Sequence, residues 1–444
     1  MHIVIIGNGI SGITAARTIR KKSDCEITVI SGETDYFFSR TALMYIYMGH
    51  MRFKDTQPYE PYFWKKNKIS LKKAWVTSVV TEKKHLILDD GSTLKYDKLL
   101  IASGSLPNKF GWPGQDLNGV QGLYSYQDLE ALEANTANGI NRAVIVGGGL
   151  IGIEMAEMLH SRHYPVSLLV RESKYWNNVL PDQESDLVTR HIREHGFDLR
   201  LNTELKEILD DGNGNVKGVV TSGGETIECQ VVGLTAGVSP NVGWLADSGL
   251  EIGRGIMIDK NLRTNIPDVF AAGDCAQFRE PLSDRRPVEQ VWYTGRIQGE
   301  TAANNMLGYS QEYNPGYWFN SAKFLDIEYQ TYGMVMPKLR DGETDFYWED
   351  ETGKKCIHLV YNNTDRKFIG INTFGIRMRH TVFNDWLKKG RTVDYILENI
   401  RAASFDPEFF TPYEKAFLDS WNKENPGNAI KLKSKKSLRS IIFK

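Results

Sequence analysis

Apolar and polar positions along this chain fall into three patterns. Short β-branched runs with almost no polar alternation come first: His2-Ile-Val-Ile-Ile6, Glu26-Ile-Thr-Val-Ile30, Ala143-Val-Ile-Val146 and Val166-Ser-Leu-Leu-Val170. They read as strands of an α/β fold, because two of them run straight into glycines and then into a small-residue helix start. From about Tyr309 the pattern changes. Alternating, aromatic-rich runs at Lys323–Tyr329, Thr344–Trp348, Cys356–Tyr361 and Lys367–Ile371 predict an antiparallel sheet, with helices near Thr381–Leu387 and Val393–Glu398. In the third pattern, Ile430 to Lys444, basic residues alternate with Leu432, Leu438, Ile441, Ile442 and Phe443.

With 444 residues, 41% hydrophobic and 25% charged types, two or three domains are expected. A net charge of −1 gives no reason to expect nucleic-acid binding. The tail differs from the rest: Lys431, Lys433, Lys435, Lys436, Arg439 and Lys444 are accompanied by no acid, so the remainder is acidic. A basic amphipathic tail suits an anionic membrane surface or an acidic partner, and a disordered solubilising end is the plainer reading. The four cysteines (Cys25, Cys229, Cys275, Cys356) form no C-x-x-C pair, which fits a reducing cytoplasm. The opening apolar run is too short for a signal peptide, and no run of about 20 apolar residues suggests a membrane span.

The glycines carry the chemistry. Gly7-Asn-Gly9-Ile10-Ser11-Gly12 follows the first strand at G-x-G-x-x-G spacing. In that context Gly7 allows the tight turn, Gly9 lets backbone N–H groups approach a pyrophosphate, and Gly12 lets the helix pack on its strand. Glu33, just past the second strand, is placed to accept ribose hydroxyls. The pattern recurs at Gly147-Gly148-Gly149-Leu150-Ile151-Gly152. Two such turns imply two nucleotide cofactors, most economically a flavin and a nicotinamide.

These residues resemble the two-dinucleotide-binding-domain flavoprotein family of pyridine-nucleotide disulfide reductases, ferredoxin and rubredoxin reductases, NADH oxidases, nitrite reductase and apoptosis-inducing-factor-like proteins. The resemblance covers about residues 1–335 and extends to Ala102-Ser103-Gly104, Ala236-Gly237 and Gly273-Asp274-Cys275. It implies a split FAD-binding domain (1–111 and 238–310), an inserted NAD(P)-binding domain (112–237), an α+β interface or dimerisation domain (311–429) and the basic tail (430–444). FAD and NADPH or NADH are the implied cofactors, and a homodimer and a small electron-carrier partner are the implied associations. Asp274 would take a ribityl hydroxyl, and Arg40, in Phe38-Ser-Arg40-Thr41, would face adenine or a phosphate unless it forms a structural salt bridge. Val76 joins the cofactor-binding set. So does Glu289-Gln290-Val291-Trp292, whose backbone would meet the flavin pyrimidine end.

Three residues stand out as candidates for the reaction itself. Glu154, read as lying on the first turn of the second glycine helix, would face the nicotinamide edge; the plain alternative is an acid favoured at a helix N-terminus. Trp292 would shield the flavin or mark an electron exit, unless it is a buried aromatic. Tyr45 stands where relatives carry a lysine or a redox cysteine, although a core aromatic is the plainer role. Without a thiol there, a disulfide-reductase cycle is disfavoured, and Cys275 reads as a small buried residue. Val170-Arg171 at the strand end leans toward NADPH, with Glu172 blunting the preference. His191-Ile-Arg-Glu194-His195 matches a zinc-protease motif but reads as a solvated face of a crossover helix, Ser185 to His195, so no metal is expected. The resulting expectation is an NAD(P)H-driven reductase of a ferredoxin- or rubredoxin-like carrier. The alternatives are an oxidase or diaphorase, or a flavin-bearing scaffold like apoptosis-inducing factor.

Overall fold

The computed structural model describes residues 1–282, 285–405 and 412–433. Among them the chain divides into two compact units, one drawn from residues 1–171 and 203–315, the other from 172–202 and the described residues after 315.

In the first unit the β-branched runs become parallel strands. One sheet runs Val269–Ala271, Lys98–Ile101, His2–Ile6, Glu26–Ser31, Ser70–Lys73, with Ile5 opposite both Val29 and Leu100. Its central strand is covered on both faces, and Ile3, Val4 and Ile5 are fully buried. This is why the sequence there has no polar alternation. A second parallel sheet contains Val120–Gln121, Val231–Leu234, Ala143–Val146 and Val166–Leu169, in that order. In each sheet the strand before the glycines has its successor on one side and a later strand on the other. The chain reverses direction of travel there, and crevices open at such switch points.

The two connecting segments lie side by side. Ser105–Pro107 pairs antiparallel with Val238–Pro240, so the chain leaves the first sheet and returns to it through adjacent strands. That arrangement is what inserting one sheet into another requires.

The second unit is built on an antiparallel sheet in the order Phe319–Phe324, Ile327–Gly333, Phe368–Phe374, Cys356–Asn362, Glu343–Glu349. Helices Asp182–Glu194, His380–Lys388, Val393–Asn399 and Glu414–Glu424 belong to the same unit. The run Lys323–Tyr329, expected as one strand, is a hairpin instead. Leu325 has φ 57° and turns the chain so that Phe324 pairs with Ile327. Alternation continues through such a tight turn, which is why the pattern concealed it. Tyr413, Phe417 and Trp421 are also buried in this unit's core; residues 406–411 lie outside the described residues.

A buried ionic cluster holds helix Asp182–Glu194 to this sheet. His358 Nε2 lies 2.7 Å from Asp345 Oδ2 and its Nδ1 2.9 Å from Glu184 Oε1, while Asn372 Nδ2 donates to Glu184 Oε2 at 2.8 Å. Burial alone would lower the imidazole pKa, but hydrogen bonds to Asp345 and Glu184 raise it to about 9. The histidine is therefore charged at neutral pH, as two flanking carboxylates require.

The tail begins differently from its reading as a free amphipathic segment. Ile430 is buried, Leu432 packs on the same core, and Lys433 bonds Glu398 through its backbone N–H, at 2.9 Å, and through its ammonium, at 2.8 Å. Residues 434–444, which carry Lys435, Lys436, Arg439 and Lys444, lie outside the described residues. Among the described residues no helix is long and apolar enough to cross a membrane.

Candidate active site and its two cradles

The first cradle forms where strand His2–Ile6 passes into helix Ile10–Lys22. Gly7 has φ +103°, and a Cβ there would stand 2.1 Å from the Ala102 carbonyl oxygen; one on Gly12 would stand 2.0 Å from the Gly7 carbonyl oxygen. Both positions therefore exclude a side chain. Gly9 differs, because a Cβ there would meet nothing within 4 Å. Open space beside Gly9 coincides with a helix start that has no side-chain cap, so the first amide N–H groups of the helix lack intrahelical acceptors. Unpaired N–H groups at the positive end of a helix, facing open space, are a site for a pyrophosphate.

Helix Trp292–Met306 packs directly on this turn. Added Cβ atoms on Gly295 and Gly299 would approach Ser11 to 2.9 and 2.2 Å, and one on Gly273 would lie 2.5 Å from Ser11 Oγ. This second helix also begins without a side-chain cap, after Val291 in extended conformation. Two uncapped helix starts and the Gly273-Asp274 turn thus converge on Ser11. Gln298 secures the turn by accepting from the Gly273 N–H at 2.7 Å, and its buried Nε2 has no partner.

A chain of polar groups lines the same region. Glu33 is held by Arg40 through both carboxylate oxygens, at 2.8 and 2.7 Å, and Glu33 Oε1 also accepts from the Tyr126 N–H at 2.9 Å. Arg40 lies 4.5 Å over the Tyr124 ring. The Tyr124 hydroxyl donates to Asp274 Oδ2 at 3.0 Å and accepts from the Ser105 N–H at 3.0 Å. Burial pushes the Asp274 carboxyl above its usual range and the Tyr124 phenol above its own. For Arg40 burial acts downward, but the Glu33 carboxylate outweighs it and the guanidinium stays charged. The network leaves a lone pair on Glu33 Oε2, and Asp274 keeps acceptor capacity as well. These groups suit the hydroxyl-rich part of an FAD molecule, and the cradle beside Gly9 suits its diphosphate.

The second cradle repeats the first locally. Gly147 has φ +125° and donates to the Leu169 carbonyl at 3.0 Å, as Gly7 donates to Ile30 at 2.8 Å. Helix Leu150–Ser161 starts after Gly149 with no side-chain cap, and a Cβ on Gly149 would also meet nothing within 4 Å. Leu150 and Ile151 are half-buried at its head, Gly237 has φ +90° beside the partly buried Ala236, and Arg171 is exposed beyond the neighbouring strand. These features suit a second diphosphate, that of a nicotinamide nucleotide.

Several expected residues fall elsewhere than anticipated. Arg40 forms the salt bridge that was its alternative role, and it is locked to Glu33 rather than separate from it. Glu154 is the fifth residue of its helix, half-buried and beyond the first turn, where a helix dipole no longer explains an acid. Trp292 is 37% exposed, so it is not a buried core aromatic, and it meets Tyr293 edge-on. Tyr45 is only half-buried and stacks on His50; the buried aromatic of that short helix is Tyr47. Thr41 is exposed, and Val76 is half-buried against the first core. The Glu289 side chain is consumed by Arg285, at 3.0 Å, and the Tyr313 hydroxyl, at 2.7 Å; Gln290 Nε2 donates to Ser105 Oγ at 2.8 Å. Ser103 Oγ donates to the Asn241 carbonyl at 2.8 Å beside Gly104. Cys275 is a buried thiol with its pKa raised by burial. His191 is buried rather than on a solvated face, and its helix starts three residues earlier than expected, at Asp182.

Tyr124 was not anticipated, and Gln298 and the packing glycines Gly295 and Gly299, which continue the segment expected to meet the flavin's pyrimidine end, were given no role of their own. The four-residue spacing of the two glycines on one helix was a readable sign of close packing. Tyr124 had none: it precedes the capping box Ser125–Asp128 and resembles any residue before a helix.

Comparison with known proteins agrees with this geometry. The family model described as pyridine nucleotide-disulphide oxidoreductase matches residues 1–299, and the chain belongs to that family. It is an oxidoreductase of the FAD- and NAD(P)H-dependent class. Over 281 residues it is 29% identical to the NAD(P)H nitrite reductase of Bacillus subtilis, covering 63% of this chain and 34% of that protein. The NADH oxidase of Methanocaldococcus jannaschii is 28% identical over 338 residues, covering 74% and 75%. The chain thus spans about a third of the first relative and three quarters of the second. The solved NAD-dependent persulfide reductase from A. fulgidus shares the fold, with a TM-score of 0.82 at 22% identity over 96% of this chain and 84% of that one.

Proposed function

We propose that this chain takes a hydride from NAD(P)H onto FAD and delivers the electrons singly to a small ferredoxin- or rubredoxin-like carrier. The observation that carries the proposal is the pairing of two open, uncapped glycine cradles with the absence of any available thiol among the described residues near the first. Cys275, within the Gly273–Ala276 turn, is fully buried as a neutral thiol, Cys229 and Cys356 are buried in the cores, and the partly exposed Cys25 precedes strand Glu26–Ser31 at the end of the sheet opposite the Gly7 turn. A thiolate relay needs an accessible thiol of lowered pKa, so electrons leave by another route. FAD supplies the conversion from two-electron to one-electron chemistry when bound.

The residues divide the work. Gly7, Gly9, Ile10, Ser11 and Gly12 hold the FAD diphosphate. Glu33, Arg40 and Asp274 anchor its sugar hydroxyls, and the Val291–Trp292 helix start receives negative charge at the ring's pyrimidine end. Gly147, Gly149 and Gly152 hold the nicotinamide nucleotide, with Glu154 orienting its reactive edge and Arg171 favouring a 2′-phosphate. Exposed Trp292 provides an apolar contact for the carrier. Four free thiols suit a reducing, cytoplasmic setting.

Anaerobic stopped-flow reduction by NADH and by NADPH, followed by reoxidation with ferredoxin, rubredoxin or air, tests this. Fast reduction, slow reaction with air and fast reoxidation by a carrier are expected. Reoxidation fastest with air would make the protein an oxidase, and a preparation that neither retains nor binds FAD would remove the basis of the proposal.

A further inference from the structure

The H-x-x-E-H segment is not absorbed by the oxidoreductase reading, yet the second unit brings its histidines together with a third group. His191 and His195 lie one turn apart, at the end of helix Asp182–Glu194, with ring centroids 4.3 Å apart. Asp326 reaches them from the turn of the hairpin Phe319–Gly333. Its Oδ1 stands 2.6 Å from His191 Nε2 and 3.3 Å from His195 Nε2, and all three candidate ligand atoms lie within 4.8 Å of one another.

We propose that His191, His195 and Asp326 form a binding site for one divalent transition-metal ion of the Zn2+ type, which clips this helix to the hairpin. Imidazole nitrogens and a carboxylate oxygen are the ligand set Zn2+ takes, at ~2.0–2.2 Å, and tetrahedral ligands then stand ~3.3 Å apart. The His195 pair already has that separation, and the His191 pair needs to open slightly. One tautomer is prepared: His195 Nδ1 lies 2.9 Å from the His191 carbonyl oxygen, so it carries the proton and leaves the Nε2 lone pair facing Asp326, whereas His191 Nε2 donates to Asp326 Oδ1 and must release that proton to the solvent or to its own Nδ1 when the ion binds. Lys354 Nζ holds the other carboxylate oxygen, Oδ2, at 3.3 Å and leaves Oδ1 toward the histidines. His191 is buried, whereas His195 and Asp326 are 31% and 55% exposed, so the ion enters from solvent and keeps water in its remaining position. Glu194, the general base of the zinc-protease pattern, is exposed and outside the cluster, so the clip carries no hydrolytic chemistry. Because the linked residues are 135 positions apart, ion binding stabilises the second unit by mass action.

The test uses full-length, FAD-loaded, untagged protein freed of metal by chelation. Calorimetric titration with Zn2+ should show one saturable site, and Co2+ should give a visible d–d band of low coordination number. Zn2+ should raise the thermal midpoint. His195→Gln and Asp326→Asn, both at partly exposed positions, should retain FAD and the fold, weaken Zn2+ binding at least tenfold and abolish the band. Absence of saturable uptake up to ~1 mM Zn2+, or either variant binding as tightly as the parent, overturns the three-ligand assignment.

Discussion

The two glycine turns are nearly the same object locally, and their surroundings separate them. Each begins with a left-handed glycine whose N–H bonds the neighbouring strand, and each ends in an uncapped helix beside open space. Around the first, a second uncapped helix start, the Gly273-Asp274 turn and the Glu33–Arg40–Tyr124–Asp274 chain are fixed against one another by packing and hydrogen bonds. Around the second, the charged residue at the strand end, Arg171, is exposed. A pre-organised ring of polar groups loses little freedom when its ligand binds, which favours lasting retention at the first cradle. On the proposed function, the first cradle retains its cofactor through many turnovers and the second takes a co-substrate that exchanges on each one.

The most severe break in that comparison is Gly12→Ala. Its Cβ would meet the Gly7 carbonyl oxygen at 2.0 Å and the Ile5 side chain at 3.1 Å, and the backbone carbonyl of a tight turn cannot swing aside as a flexible side chain could. Loss of soluble, flavin-containing protein is the expected outcome, read from the yield and the flavin absorbance. Gly9→Ala is the more discriminating change. Nothing lies within 4 Å of its Cβ, so the fold should survive, while the methyl occupies space the diphosphate needs. FAD affinity should fall tenfold or more, ~1.4 kcal/mol, measured as flavin per polypeptide after desalting. Gly149→Ala should leave that ratio intact and raise KM for the nicotinamide nucleotide by a similar factor. If Gly149→Ala loses FAD and Gly9→Ala does not, the two sites have been assigned in reverse.

A milder change probes the polar ring alone. Tyr124→Phe removes the hydroxyl that donates to Asp274 and accepts from the Ser105 N–H, while the ring still supports Arg40. One neutral-to-charged hydrogen bond lost at a buried site costs ~1.5–3 kcal/mol. A weakening of FAD binding by about tenfold or more, with KM for NAD(P)H unchanged, is expected from a flavin fluorescence titration. Equal effects on both ligands would mean that Tyr124 supports the whole unit rather than one cradle.

How much of this was readable beforehand depended on whether local chemistry or distant pairing made the feature. The cradles were legible because glycine spacing, β-branched strands and helix starts are all local, and the parallel sheets followed from them. The Glu33–Arg40 pairing was half visible, since each residue was singled out but not joined to the other. Tyr124 reaches Asp274 across 150 positions, and nothing in a sequence marks such a pair. The same is true of His191 and Asp326, so a histidine pair read as solvated proved to be half buried against a hairpin turn. That turn was itself hidden, because Leu325 adopts φ 57° without the glycine or asparagine that would announce it.

The smallest expected effect concerns Arg171 and decides which nicotinamide the second cradle prefers. Gly148 lies against Val170, with a Cβ there 2.8 Å from the valine Cγ1, so an apolar side chain occupies the end of the strand Val166–Leu169 and Arg171 follows it at the surface. An acid at such a strand end would bind the ribose 2′-hydroxyl and repel a 2′-phosphate, and valine can do neither. A guanidinium pairs with phosphate through two parallel N–H groups, but an exposed pair is screened by water and salt. Its contribution is then ~0.2–1 kcal/mol, or a change of about 1.4- to fivefold. Arg171→Ala should therefore raise KM for NADPH by that factor and leave KM for NADH nearly unchanged, with the difference shrinking as salt is added. Equal loss with both nucleotides would show that Arg171 acts on the diphosphate common to them, and the discrimination would then have to come from another residue of the cradle.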